Sequence, residues 1–249
     1  MCEAAPRTCL PSTTMRRAAV PFVIVLALLA CSGSVAAQTP AGTASAAATF
    51  HVYQRDARIG TASVSIARTD EGWRVQSTST LAGALDLAIK QLDLHYDASW
   101  RGRFMTIETL HAGRNIIVHV AVLAGTTRTD IVTENEARFR SHSVSADTIF
   151  LPDHAFGAYE ALAAPLERMR AGMDVPLLLA PDGETRALVD AVTAERVMTA
   201  TGAIAATRFT LQLIGGVLKT LEVWVDRGRL LRVDVPRERL SAVRSDVLP

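Results

Sequence analysis

The chain has 249 residues, 49% hydrophobic and 20% charged, with a formal net charge of +1. So even a balance supplies no broad basic field, and no Lys/Arg stripe makes one locally, so nucleic acid is excluded as an expected partner. The three cysteines are Cys2, Cys9 and Cys31, which excludes a disulfide scaffold and thiol catalysis for everything downstream.

The first segment in chain order is an address. Arg16-Arg17 precede an apolar run from Ala18 to Cys31 and the small-residue stretch Ser32-Gly-Ser-Val-Ala-Ala-Gln38. A positive n-region, an apolar core too short to span a bilayer, and Val35-Ala36-Ala37 before Gln38 read as a secretory signal peptide cut after Ala37. The expected location is the periplasm or outside the cell. Met1 to Thr14 fits no n-region, so Met15 is the expected initiator and residues 1–37 are extension plus signal. Leu28-Leu29-Ala30-Cys31 approximates a bacterial lipoprotein box; on that alternative Cys31 is lipidated and the product is membrane-anchored. Cleavage after Ala37 also removes Arg7, Arg16, Arg17 and Glu3, taking basic and acidic totals of 26 and 25 to 23 and 24.

Gln38 to Ala48 is Ala, Thr, Ser, Gly and Pro with nothing to bury, and reads as a flexible tether. From Thr49 to the end, polar and apolar residues alternate with period two between turn residues, the pattern of one antiparallel β domain. Phe50 to Gln54, Ile59 to Arg68 and Trp73 to Thr80 are the first runs, with Asp70-Glu71-Gly72 a hairpin signal. Leu85, Leu87 and Ile89 share one parity and Leu94, Tyr96, Ala98 and Trp100 the other, so a bulge or short turn is predicted near Lys90-Gln91. Phe104 to Leu110, Asn115 to Leu123, Thr126 to Thr133 and Ala137 to Ser143 follow.

The period then changes. Phe156, Tyr159, Leu162, Leu166 and Met169 fall at helical spacing over 155–171, with Asp153 available as N-cap and Gly172 as terminator. Pro165 forbids one straight helix and predicts two short ones, or a kink, with the proline in a first turn. Strands resume at Val175 to Ala180, Thr185 to Thr193, Arg196 to Thr201, Ala205 to Leu213, Val217 to Val225, Leu230 to Val235 and Leu240 to Arg244.

The densest site-like cluster is Asp93, His95 and Asp97, alternate residues of one strand that would set acid/base groups side by side on one face. The opposite parity is Leu94, Tyr96, Ala98 and Trp100, so an amphipathic strand with a solvated polar face explains the same pattern. An envelope hydrolase using those three residues is the enzymatic alternative. The other histidines are isolated, there is no G-x-S-x-G or S-x-x-K, and carboxylates such as Glu160 and Glu167 read as solvated. The charged tail Arg237-Glu-Arg239 and Arg244 reads as edge-strand protection. No metal or cofactor is called for.

One apolar parity runs through Tyr96, Trp100, Phe209, Leu211, Leu221 and Val223, and only one helical segment is available to cover it. Such a sheet must curl on itself or line its concave face for a lipophilic guest, with the helix as plug or lid; those six residues are the expected ligand contacts.

Phe50-His-Val-Tyr, Ile59-Gly60, Gly72-Trp73, Tyr96-Asp97 with Trp100, and the tail Trp224-Val-Asp226, Leu230 and Arg244 resemble an exported bacterial all-β family of unknown function. That family looks akin in fold to the half-barrels of periplasmic lipoprotein carriers and outer-membrane lipoprotein receptors. The resemblance implies a curved sheet in the cell envelope and, by analogy, a lipophilic small molecule or lipoprotein segment as partner. The expected protein is therefore non-enzymatic, an envelope binding or carrier protein; a scaffold or interaction module is the remaining alternative.

Overall fold

A computed structural model describes residues 46–215 and 220–248. The signal segment, the cut after Ala37, Cys31 and most of the tether lie outside the described residues. Among these, fifteen strands form one sheet, almost wholly antiparallel. The first meander is β1 (Ala46–Gln54), β2 (Ala57–Thr69), β3 (Gly72–Leu81), β4 (Leu87–Asp97), β5 (Gly102–His111), β6 (Arg114–Leu123), β7 (Thr126–Thr133) and β8 (Ala137–Ser143). β9 (Ile149–Phe150) leads into a 3-10 turn, Phe156–Ala158, and α1 (Tyr159–Leu166). The second meander is β10 (Asp174–Leu179), β11 (Gly183–Thr199), β12 (Gly202–Ile214), β13 (Thr220–Asp226), β14 (Arg229–Val235) and β15 (Leu240–Arg244).

Each meander pairs strand with next strand, and β15 returns to pair with β1, so the order runs from β8 through β1 and β15 to β9. The sheet is open, with β8 and β9 as its outer strands. It is also strongly curved, because residues from the two ends of this order meet. Gly102 N–H donates to the Thr148 carbonyl (2.9 Å), Tyr96 Oη to the Phe150 carbonyl (3.4 Å), and the Ser145 hydroxyl to Glu184 (2.7 Å). Gly102 is required there: a Cβ would lie 2.9 Å from the Phe150 ring.

The predicted shift near Lys90 is a β-bulge. Both neighbours of β4 skip Lys90, pairing Ile89 and then Gln91 or Leu92, which returns Leu87 and Ile89 to the face of Leu92, Leu94 and Tyr96. A second bulge skips Asp190, and β11 runs unbroken where two runs, Thr185 to Thr193 and Arg196 to Thr201, were expected. β1 starts at Ala46, ahead of Thr49, because Ala46 to Ala48 pair with Val64 to Ile66. β15 lies between β1 and β14, so its charged tail guards no edge. Arg244 instead holds Asp246 (2.6 Å), and Glu238 holds His154 (3.0 Å).

The helical insert is shorter than 155–171 and has no side-chain cap; Asp153 pairs with His154 instead, and Pro165 sits in the last turn. Its residues are buried all round, including Phe156, Ala158, Ala161, Leu162, Ala163 and Leu166. A helix apolar on every side belongs inside a core. The 3-10 turn packs on β2 and β3 and α1 on β13 and β14, so the insert plugs the concave side of the sheet. Glu160, expected at the surface, is fully buried and paired with Arg229 (3.4 Å), and it accepts the Leu230 N–H (3.1 Å).

Candidate functional site

Cross-strand register builds rows on the concave face. One row runs Leu92, Ile107, Val118, Ile131, Arg138 across β4 to β8, and the next runs Leu94, Met105, Val120, Thr129, Arg140. Leu92, Leu94, Met105 and Val120 are fully buried, no more than 1% exposed. Towards β8 the cover runs out. Leu85, Leu87, Ile116 and Ile131 are only partly buried although they pack against the main core.

These side chains, with Ile107 and Val118, line a half-open cavity of about 870 Å³. Its rim carries His111, Arg114, Glu134, Glu136, Arg138, Arg140, Asp153 and His154. A concave site with an apolar floor and a few polar groups at its margin, of this size, is the usual form of a small-molecule site. Two further cavities, of about 790 and 360 Å³, have mixed polar and apolar linings drawn from Thr49, Ser63 and Gln76, and from Tyr159, Glu184 and Thr185.

His154 closes one side of the groove. Its backbone has φ +54°, and its ring bridges Asp153 (3.0 Å) and Glu238 (3.0 Å). The hydrogen bond to Asp153, reinforced by Glu238 and opposed by burial, raises its pKa from 6.5 to about 9. The bridge ties the segment entering α1 to the turn before β15. His154 looks isolated in the sequence because Glu238 is remote in the chain; the adjacent Asp153 is the one local signal.

The expected ligand contacts have another setting. Phe209 faces Val223 and Leu211 faces Leu221 across β12 and β13, and all four are at most 2% exposed. Tyr96 is buried against Trp100 and Phe150, and Trp100 stacks on Trp73 at 4.9 Å. These six residues belong to the same core as the groove floor and line none of the three cavities.

Asp93 and His95 do come together on the opposite, convex face, 3.2 Å apart. Arg74 grips both Asp93 oxygens (2.8 and 2.6 Å). Burial pushes the Asp93 pKa up, but Arg74 outweighs it and holds the carboxyl below its ordinary range. Asp97 stands apart as a turn former, accepting the Ser99 (2.8 Å) and Arg101 (3.0 Å) N–H groups and pairing with Arg103 (3.0 Å). Among the described residues no group of three or more His, Cys, Asp or Glu is placed to hold a metal, and no helix is long and apolar enough to cross a membrane.

Fold and site together define an open, curved, mainly antiparallel β-sheet plugged by one short helix and carrying an apolar groove. Its structure is similar to that of a DUF1089 family protein from Pseudomonas aeruginosa, at 15% identity and a TM-score of 0.35, over 76% of this chain and 88% of that one. No protein-family model and no curated protein matches the sequence.

Proposed function

We propose that the chain is an exported protein of the bacterial envelope that binds or carries a lipophilic molecule or lipoprotein segment, without chemistry of its own. The observation that carries this reading is the apolar groove on the concave face of β4 to β7, where Leu85, Leu87, Ile116 and Ile131 pack against the core and are left partly uncovered. The packed residues Tyr96, Trp100, Phe209, Leu211, Leu221 and Val223 form the core on which this floor rests. Uncovered apolar side chains in a concavity gain by displacing water onto a guest, at roughly 25 cal/mol per Å². The signal segment supports an envelope location, and with Cys31 retained and lipidated the same groove would work at a membrane surface.

Native mass spectrometry of the protein taken from its own host tests this. A mass above the bare polypeptide by that of a lipid or lipopeptide, lost on substituting Ile131→Asp, is the expected result. The bare polypeptide mass under gentle conditions would count decisively against it.

A further inference from the structure

Both concave rows end on a cation. Leu92, Ile107, Val118 and Ile131 lead to Arg138, and Leu94, Met105, Val120 and Thr129 lead to Arg140. Neighbouring strands lie about 4.8 Å apart, so β4 to β8 spans roughly 19 Å across the cavity floor of Leu87, Ile107, Ile116, Val118 and Ile131, while Leu92, Leu94, Met105 and Val120 stay buried in the core. That is the reach of one long acyl chain, and the cavity is of single-ligand size.

The two arginines differ in availability. Arg138 is ion-paired with Glu136. Among the described residues Arg140 is ion-paired with Asp182 alone, at 3.6 Å, and that side chain is 84% exposed. The other rim acid with a defined partner, Asp153, is held by His154. Of the two, Arg140 is therefore the more open to exchange its loose partner for a ligand carboxylate, which a guanidinium can meet with two parallel hydrogen bonds. We infer that the groove takes a single-chain anionic amphiphile, a long-chain carboxylate, with its chain across β4 to β7 and its head at Arg140 beside Arg138. This rests on reading the groove as the ligand site.

Inward charges on an outer strand also prevent pairing with other chains. That role alone predicts no preference for an acid over its ester, which is what the experiment measures. Fluorescence titration with cis-parinaric acid and with its methyl ester should show the acid binding about tenfold or more tightly, as expected for a hydrogen-bonded charge. Arg140→Gln should bring the acid down to the ester's affinity and leave the ester unchanged. Asp182→Asn, which removes the competing carboxylate, should tighten the acid severalfold, a gain that misfolding cannot mimic. Equal affinities for acid and ester, or an Arg140→Gln protein that keeps its preference, would overturn the inference and leave the groove as a neutral-chain site. Binding of neither probe, including by a dimer seen on size exclusion, would overturn the inference and the groove reading with it.

Discussion

Three residues hold the plug in the sheet, and each can be tested singly. Glu160 is a fully buried carboxylate on α1 whose partners, Arg229 and the Leu230 N–H, both belong to β14. Removing one member of a buried pair strands the other without water, so Arg229→Ala should cost about 2–3 kcal/mol in urea unfolding, tempered because Arg229 is partly exposed. Glu160→Gln, which keeps an acceptor for Leu230, should cost less; a negligible effect of Arg229→Ala would show that the pair does not anchor the helix. Gly157 lies against β3 so closely that a Cβ would overlap the Ser77 side chain. Gly157→Ala should destabilise by about 2–3 kcal/mol, and adding Ser77→Gly should recover part of the loss; no recovery would place the strain elsewhere.

His154 makes stability depend on pH at the same scale. Its folded pKa, about 9, lies above the ordinary 6.5, so the folded state holds the proton more tightly than the unfolded chain. The stabilisation is fully present below about pH 6.5 and is lost as pH rises through about 9, amounting to roughly 2–3 kcal/mol for a side chain 21% exposed. Denaturation midpoints at pH 6 and pH 10 should differ in that sense, and His154→Gln should shrink the difference. An unchanged pH dependence in the variant would remove the bridge from the account.

At the scale of elements, the bulge at Lys90 absorbs one extra residue so that both halves of β4 give their apolar side to the core. Deleting Lys90 should leave Leu87, Ile89, Leu92, Leu94 and Tyr96 in one strict alternation, so the shortened strand should still fold with the same face inward, and Lys90→Ala, which removes only the exposed contacts to Glu108 (3.1 Å) and Asn115 (3.0 Å), should change stability by less than about 0.5 kcal/mol. Circular dichroism checks both variants, and loss of the fold in either would contradict this register. This bulge was legible in the sequence because parity reverses between Ile89 and Leu94. The strands were legible for a related reason: a half-buried strand writes its alternation into the chain. β9 was not, since two residues carry no period and its partner β10 is remote and parallel. The continuity of β11 was hidden by its own bulge at Asp190, which breaks the alternation partway along the strand. Glu160 misled because a carboxylate on a short helix normally marks a solvated side, and only the enclosing sheet makes that side internal.

At the scale of the molecule, sequence periodicity identified an apolar face but not the part of it left open. The six residues expected to touch a guest and the groove residues Leu85, Leu87, Ile116 and Ile131 belong to one core; what separates them is where a helix remote in sequence comes to rest. The insert seals the side of β13 and β14, and the uncovered stretch falls towards β8, where the rows end in arginine. On the function proposed above, this stretch is the binding surface. Its most direct test is a methyl-resolved NMR titration of the protein with a long-chain carboxylate. Saturable shifts are expected at the Leu87, Ile107, Ile116, Val118 and Ile131 methyls, with Leu211, Leu221 and Val223 nearly unmoved. Shifts centred on the second meander, or none at saturating ligand, would contradict it.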